Sequence, residues 1–317
     1  MFLCVSPNPA IDKRLTLDSL VPGKIHRSRE ARAYPGGKAA HVAMTLRALG
    51  ESPLWIGFFG GAAGSKLVSG LQNLGIRVEA CPIQGETRSN LEILEGNGRV
   101  TEILETGPAP SLDELNAFES SCETAFTDGG VSLTVLFSGS LPAGVSPSFY
   151  ARLIGMARRS GCRTFLDTSG EPLRLALSAG PRFVKPNREE ASQLVGCALD
   201  SLPSAARALR QLLTLGAASA ALSLGSDGLL YCPYPQAPIY FAPAVPLSPL
   251  SAVGSGDAAL AGFARALAEG LSAEDTVRLG AACGAANCVA GSPGAVRAAD
   301  IEKFRPEITV RVLPPGS

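Results

Sequence analysis

A glycine-rich turn that runs directly into a helix carries residue types that phosphoryl transfer needs. The stretch reads Val253-Gly254-Ser255-Gly256-Asp257-Ala258-Ala259. Its glycines permit a tight backbone, and the free amide groups at a helix start can hold negative charge that develops on a phosphoryl group. Asp257 could accept the proton of an attacking hydroxyl. Taken alone, however, an Asp in a first helical turn is more simply explained as a helix cap.

A second motif lies at a predicted strand-to-helix junction and reads Lys185-Pro186-Asn187-Arg188-Glu189-Glu190. Asn187 and Glu190 are three residues apart, so both can project from the first helical turn and organise a hydrated Mg²⁺ with its phosphates. The alternative is a helix that begins after a proline, with acidic residues near its positive end. Ligands of open α/β sheets gather at the carboxyl ends of strands, which favours a binding role here.

A third motif contains a glycine pair and opens the first predicted helix. It reads Tyr34-Pro35-Gly36-Gly37-Lys38-Ala39-Ala40-His41-Val42-Ala43. The glycine pair could let a sugar approach the backbone while Lys38 supplies positive charge. Glycine pairs before helices are common, so this motif indicates little by itself.

The elements that must position these motifs alternate between short apolar runs and segments of helical period. Buried strands are predicted near 2–6, 53–59, 131–138, 162–167, 181–185 and 217–224. Helices are predicted over 37–49, 61–74, 111–126, 146–159, 187–195 and 203–214, and the Ala- and Gly-rich segment 255–290 predicts two closely packed helices. This alternation predicts an α/β fold with a mostly parallel sheet covered by helices on both faces.

Two regions, 10–34 and 86–105, instead alternate polar and apolar residues, and Gly96-Asn97-Gly98 makes a good hairpin turn in the second. They predict a small sheet that stands off the main one as a lid. The proline-rich segment 233–251 predicts an irregular loop with a short strand near 239–241. Because no linker separates independent units, we expect one domain over 1–317.

Composition narrows the classes of function. The chain has 317 residues, of which 46% are hydrophobic and 18% charged, and its net charge is zero. No overall field favours nucleic acid or an acidic membrane surface, and the N-terminus lacks the pattern of a signal peptide, so we expect a cytoplasmic protein. Eight cysteines without metal-binding spacing and only two histidines make a metal cluster or His-based relay a poor expectation.

Taken together, these motifs resemble the ribokinase-like (PfkB) sugar kinases across nearly the whole chain. The resemblance rests on NPAID near the start, GGK at 36–38, TRSN at 87–90, SGSLPAG at 138–144, LDTSG at 166–170, KPNREE at 185–190, LSLGSDG at 222–228 and VGSGD at 253–257. NPAID and TEILETGPAP at 101–110 are similar to the hexose-phosphate branch of the family. That branch includes 1-phosphofructokinases, tagatose-6-phosphate kinases and the minor type of 6-phosphofructokinase. The resemblance implies a three-layer α/β/α fold with a small β-sheet lid.

The resemblance also implies roles for individual residues on the sugar side. Asp257 would be the catalytic base, and the anion hole would comprise Gly254, Ser255 and Gly256. The sugar pocket would be lined by Asp12, Gly37, Lys38, His41 and Ser138. Arg88 would bind a phosphate that the substrate already carries, with Arg27 and Lys24 as further candidates.

On the nucleotide side, the resemblance implies ATP and Mg²⁺. Lys185 and Asn187 would face ATP, and Glu190 would act on Mg²⁺ through water. Ser223, Gly225 and Gly228 would pass beneath the phosphates and ribose, and Asn287 would lie near the adenine. Ser223 and Gly225 could equally be residues that end a strand.

The chain departs from the pattern of the branch, which usually reads GGKGxNVA, at Ala39 and His41. His41 replaces an asparagine that contacts sugar, and an imidazole reaches further and donates differently from an amide. The substrate could therefore differ from fructose or tagatose phosphate. Ser251 stands where Asp or Asn is common, which weakens the case for a potassium site.

These observations predict an ATP-dependent kinase of a small sugar phosphate of the fructose 1-phosphate, fructose 6-phosphate or tagatose 6-phosphate type. The alternatives are a kinase of an unphosphorylated sugar or nucleoside, and a non-catalytic sugar- or nucleotide-binding regulator on the same fold. A Rossmann oxidoreductase is disfavoured because no GxGxxG follows the first strand. The resemblance further implies a homodimer that forms through the lid strands.

Overall fold

The computed structural model describes residues 1–314, which form two β-sheets and ten α-helices. The strands are β1 (Phe2–Ser6), β2 (Ala10–Leu17), β3 (Glu30–Gly36), β4 (Leu54–Phe59), β5 (Arg77–Pro82), β6 (Arg88–Glu95), β7 (Val100–Leu104), β8 (Thr134–Ser138), β9 (Arg163–Asp167), β10 (Phe183–Val184), β11 (Ala220–Ser223), β12 (Leu229–Cys232), β13 (Ile239–Ala242) and β14 (Arg311–Leu313). The helices are α1 (Lys38–Ala48), α2 (Gly61–Asn73), α3 (Leu112–Gly129), α4 (Phe149–Arg159), α5 (Gly170–Leu177), α6 (Arg188–Val195), α7 (Leu202–Thr214), α8 (Ser255–Glu269), α9 (Ala273–Cys288) and α10 (Ala298–Phe304).

The large sheet has 10 strands in the order β14-β13-β12-β11-β10-β9-β8-β1-β4-β5. Every pairing from β5 through β11 is parallel, and β12, β13 and β14 extend the sheet in antiparallel fashion. Alternate residues of β1 enter separate cores. Leu3 and Val5 belong to the core that contains residues of α3 to α7, and Phe2 and Cys4 belong to the core that contains residues of α1, α2 and α8 to α10. The predicted three-layer fold with a mostly parallel sheet is confirmed.

The small sheet, which comprises β2, β3, β6 and β7, lies where the polar and apolar alternation predicted a second sheet. Its order is β3-β2-β6-β7, with β2 and β6 parallel and the outer pairs antiparallel. The hairpin at 96–98 is present, since the Gly98 amide donates to the Glu95 carbonyl. The parallel register sets Asp12 beside Asn90, which places polar side chains of two strands together.

Several elements escaped prediction for local reasons. Strand β5 lies at a sheet edge, and its half-exposed alternation with charged residues hides it among loops. Helix α5 escaped because it is short. Strand β10 lies within the strand predicted near 181–185, but it pairs over only two residues because Pro186 has no amide to continue the ladder. In the part of the chain that the structure describes, no helix has the length and apolar character needed to cross a membrane.

Candidate active site

A cavity of about 1020 Å³ opens between the carboxyl ends of the parallel strands and the small sheet. Residues that end or follow β8, β9, β10 and β11 line one side, as the placement of ligands in open α/β sheets requires. Side chains of β2, β6 and β7 line the side formed by the small sheet. The N-terminus of α8 faces the same space, so all three motifs of the sequence converge on one cavity.

Asp257 lies in the first turn of α8, only 5% exposed, at the wall of this cavity. Gly254 caps the helix with φ +80°, a left-handed conformation in which a Cβ would also come within 2.8 Å of Pro293. The glycine therefore allows the chain to turn sharply, and the first amides of α8 point from the helix start toward the cavity. This arrangement can hold an anion beside a carboxylate.

His41 connects two carboxylates across the floor of the site. Its Nδ1 lies 2.8 Å from Asp257 Oδ2, and its Nε2 lies 2.9 Å from Asp12 Oδ2. Burial by itself would lower the pKa of His41, but hydrogen bonds and negative charge from Asp12 and Asp257 outweigh it and raise the pKa to about 10. Burial would raise the pKa of Asp12, yet His41 and Asn90 hold it below its ordinary value. The three side chains form one charged cluster.

A second cluster centres on Asp167 at the end of β9. Its Oδ1 accepts from Lys38 Nζ at 2.7 Å, and its Oδ2 lies 2.8 Å from Lys185 Nζ. Burial acts to raise the pKa of Asp167, but the charges of Lys185 and Lys38 prevail and hold it below the usual range. Two lysines are thereby fixed at the cavity wall, where they can neutralise phosphate oxygens.

Asn187 and Glu190 form the capping box of α6. The Glu190 amide donates to Asn187 Oδ1 at 2.8 Å, and the Asn187 amide donates to Glu190 Oε2 at 2.9 Å. The helix cap and the binding role are therefore not exclusive, since both residues also line the cavity. Glu190 Oε1 lies 3.4 Å from Lys38 Nζ, which leaves this oxygen facing the cavity and only weakly engaged.

Arg88 extends from the first residue of β6 and is held by two backbone carbonyls. Its Nη1 donates to the Glu105 carbonyl at 2.8 Å and its Nη2 to the Asn8 carbonyl at 2.9 Å. Three buried polar atoms in this area have no partner within residues 1–314, namely Arg88 Nε, Asn90 Oδ1 and Ser138 Oγ. Buried polar atoms are normally paired, so these atoms favour a polar ligand that completes their hydrogen bonds.

Most residues singled out from the sequence line the cavity. They are Asp12, Gly37, Lys38, His41, Arg88, Lys185, Asn187, Glu190, Ser223, Gly225, Gly228, Gly254, Ser255, Gly256 and Asp257. Ser138 is buried and precedes Gly139, which lines the cavity. Arg27 and Lys24 lie on the exposed loop after β2, outside the cavity lining.

Asn287, which the resemblance implies near the adenine, has its side chain engaged by the turn before α8. It is buried outside the cavity lining, and its side chain holds two loops together. Nδ2 donates to the Val253 carbonyl at 2.7 Å, while Oδ1 accepts from the Gly294 amide at 2.8 Å. The side-chain amide therefore stabilises the turn that precedes α8 and the anion site.

Sequence reasoning assigned no role to Asp167 or Asn90, which the structure places in the cavity wall. An acidic residue at the end of an apolar strand was the available signal for Asp167. For Asn90 the available signal was the two-residue alternation of a strand, which places Arg88, Asn90 and Glu92 on one face of β6. All three line the cavity.

The fold and the site define a phosphotransferase of the α/β class, and comparison with known proteins identifies its family. The pfkB family carbohydrate kinase pattern matches residues 8–299, so the chain belongs to that family and is an ATP-dependent sugar kinase. It is similar to 1-phosphofructokinase of Rhodobacter capsulatus, with 32% identity over 98% of each chain.

Solved structures agree. Phosphofructokinase-2 from Escherichia coli, in complex with substrates and products, has a TM-score of 0.89 and 28% identity, and the match covers 97% of this chain and 99% of that one. Arabidopsis thaliana ribokinase, complexed with ribose and ATP, has a TM-score of 0.74 at 21% identity over 96% and 98% of the two chains. The second likeness concerns the fold alone.

Proposed function

We propose that this kinase transfers the γ-phosphoryl group of ATP to a hydroxyl of a small sugar phosphate, with Asp257 as the general base. The observation that carries the proposal is the position of Asp257 at the N-terminus of α8, on a cavity that Arg88 also lines. A base beside an anion site meets two requirements of phosphoryl transfer, and a fixed guanidinium suits a phosphate on the acceptor.

In this proposal the nucleotide phosphates lie between the two fixed lysines and the start of α8. Lys38 and Lys185 neutralise phosphate charge, and the amides of Gly254, Ser255 and Gly256 stabilise the charge that develops in the transition state. Ser223, Gly225 and Gly228 line the part of the cavity that accommodates the nucleotide. Asp257 orients the acceptor hydroxyl for in-line attack and takes its proton.

The site also fits Mg²⁺ that is bound chiefly by phosphates and water. Among residues 1–314, no group of three or more His, Cys, Asp or Glu side chains is placed to hold a metal ion. Glu190 lines the cavity beside the two lysines, and one or two carboxylates are the usual protein share of a kinase Mg²⁺ site. Bound with ATP, the ion would neutralise phosphate charge, and Glu190 would hold it through water.

The small sheet would act as a lid over the sugar. Asp12 and Asn90 are joined by a 2.8 Å hydrogen bond, and they present a polar surface on the small sheet to sugar hydroxyls. Closure would exclude water from the phosphoryl group and so limit hydrolysis of ATP. The names of two relatives, 1-phosphofructokinase and phosphofructokinase-2, support an acceptor of the hexose-phosphate type.

We also propose a homodimer through the small sheet. Ile103 and Leu104 on β7 are 55% and 60% exposed, and β3 and β7 are both edge strands of that sheet. Exposed edges with apolar side chains favour association with another chain. Light scattering at micromolar concentration should give twice the mass of 32.6 kDa. A monomer under those conditions contradicts the dimer.

Replacing the proposed phosphate-binding arginine, Arg88→Gln, should impair phosphorylated acceptors selectively. The substitution removes a charge-assisted hydrogen bond to phosphate, which is worth roughly 1.5–3 kcal/mol, or about 10- to 100-fold in kcat/KM. Steady-state kinetics with a sugar phosphate and with the same sugar unphosphorylated measure this difference. The KM for ATP should change little.

A matched control for that experiment is Arg99→Gln, also on the small sheet. Arg99 pairs with Glu95 beyond the cavity and is 58% exposed. An equal loss with both acceptors in Arg88→Gln would assign Arg88 a structural role and favour an unphosphorylated sugar or nucleoside as substrate.

A further inference from the structure

His41 is bound by a carboxylate at each end of its ring. Ionised carboxylates only accept hydrogen bonds, so a ring nitrogen that contacts one must carry a proton. Asp257 Oδ2 accepts at Nδ1 over 2.8 Å and Asp12 Oδ2 at Nε2 over 2.9 Å. When both carboxylates are ionised, this geometry requires the doubly protonated imidazolium. An asparagine at this position would have one NH₂ donor group on a shorter side chain, so it could not bridge both carboxylates.

The cluster is fixed from several directions. His41 is 4% exposed, and a Cβ on Gly294 would come within 2.7 Å of its Cα, so the loop at 291–296 packs closely on its backbone. Asp12 Oδ1 accepts from Asn90 Nδ2 at 2.8 Å, which occupies the second oxygen of that carboxylate. A continuous series of hydrogen bonds thus runs from β6 through Asp12 and His41 to Asp257.

We infer that His41 is a positioning residue for proton transfer, because it holds Asp257 Oδ2 and leaves Oδ1 to receive the proton of the acceptor hydroxyl. Oδ1 accepts no hydrogen bond from any residue in 1–314. The inference rests on the proposed function. The positive charge of His41 also gives the cluster of His41, Asp12 and Asp257 a net charge of −1 instead of −2, which lessens repulsion of the anionic phosphoryl group.

The reaction step remains balanced without any proton leaving His41. The acceptor O–H proton passes to Asp257 Oδ1, and the acceptor oxygen forms the new bond to the γ-phosphorus. The bond between the γ-phosphorus and the bridging oxygen breaks, and its electrons leave with ADP. The charged groups that interact with His41 are Asp12 on β2, Asp257 on α8 and Glu102 on β7, and Lys38 of the same helix lines the same cavity. The loop 291–296 contributes no titratable side chain.

Kinetics of His41→Asn test the positioning role. The amide cannot hold Asp257 and Asp12 together, and a small misplacement of a catalytic group costs about 10²-fold in rate. We expect kcat to fall by about that factor, while the KM for ATP changes less than about threefold and thermal unfolding still shows a folded protein. A buried histidine with a purely structural role would lower the unfolding temperature and leave kcat of the folded fraction unchanged.

A spectroscopic test does not depend on turnover, so it separates this inference from the proposed function. The chain has only two histidines, and a protein labelled with ¹⁵N-histidine gives two ring signals, of which His26→Asn removes one and thereby assigns the other. We expect His41 to show two protonated ring nitrogens at pH 8, and Asp257→Asn to move its titration to lower pH. A neutral His41 ring at pH 8 would overturn the inference even if the kinase activity is confirmed.

Discussion

Asp257→Asn should reduce turnover of the sugar substrate by about 10²- to 10⁴-fold, the usual contribution of a general base. The amide is close in size to the carboxylate but cannot take the hydroxyl proton. Its carbonyl oxygen can still accept from His41 Nδ1, so the 2.8 Å contact and the local fold should persist. ATP binding should also persist, because the lysines and the helix amides that face the phosphates are unchanged. Coupled ADP release and equilibrium ATP binding measure the two properties separately.

Asp113→Asn is the matched control for that loss. Asp113 lies in the first turn of α3, as Asp257 lies in the first turn of α8, but it is exposed and does not line the cavity. The same change of charge at a helix N-terminus should therefore leave turnover within about twofold, since an exposed first-turn acid is worth only about 0.3–1 kcal/mol of stability. If Asp257→Asn retains more than a tenth of the wild-type turnover, Asp257 is not the base.

The largest loss of stability should follow from Glu92→Gln. Glu92 and Arg14 form a two-point ion pair in the small sheet, with Nε to Oε2 at 2.7 Å and Nη2 to Oε1 at 3.1 Å, and both side chains are buried. Ser251 Oγ also donates to Glu92 Oε1 at 2.6 Å, and Arg14 Nη1 donates to the Gly291 carbonyl at 2.7 Å. The substitution leaves a buried guanidinium without its charge partner, which costs about 3–5 kcal/mol. Urea unfolding measures the loss.

Two further variants interpret that loss. Glu30→Gln removes the partner of Arg32 in an exposed pair of the same sheet, so it should cost at most about 1 kcal/mol. The double variant Arg14→Met with Glu92→Leu removes both buried charges and should be more stable than Glu92→Gln alone. A cost below about 1 kcal/mol for Glu92→Gln would show that water or another residue stabilises the Arg14 guanidinium in place of the carboxylate.

The same ion pair joins the small sheet to the catalytic turn. Ser251 precedes the turn that begins α8, and the loop that carries Gly291 packs against His41 and Gly254 through Gly294 and Pro293. Arg14 and Glu92 therefore hold two loops that flank the anion site. Because the buried pair is hydrogen-bonded to both loops, it fixes them in one arrangement. This matters at an active site, where a small displacement of a catalytic group lowers the rate.

Much of the fold could be predicted because its strands and helices differ in hydrophobic period. The runs at 2–6 and 53–59 are continuous apolar strands, as in a sheet buried on both faces. The small sheet was recognisable from its alternation. The short strand predicted near 239–241 corresponds to β13. Strands β5, β12 and β14 were harder, because β5 and β14 are edge strands with exposed residues and β12 is only four residues long.

The site was predictable where a local motif marks it and not where distant residues meet. Gly254 to Asp257 carry their own signal in a turn that requires glycine. The interaction of His41 with Asp12 and Asp257 joins residues 29 and 216 positions apart, and no local pattern could reveal it. For Asn287 the resemblance implied a place near the adenine, but no local pattern could reveal the hydrogen bond by which its side chain supports the turn before α8.

The most direct test of the central proposal is coupled ADP release from ATP and Mg²⁺ across a panel of acceptors. The panel should contain fructose 1-phosphate, fructose 6-phosphate, tagatose 6-phosphate, ribose, fructose and a nucleoside, with mass spectrometry of the product. We predict turnover of one sugar phosphate to a bisphosphate, with ADP formed in equal amount. Turnover of only unphosphorylated acceptors, or of none, would contradict a sugar-phosphate kinase.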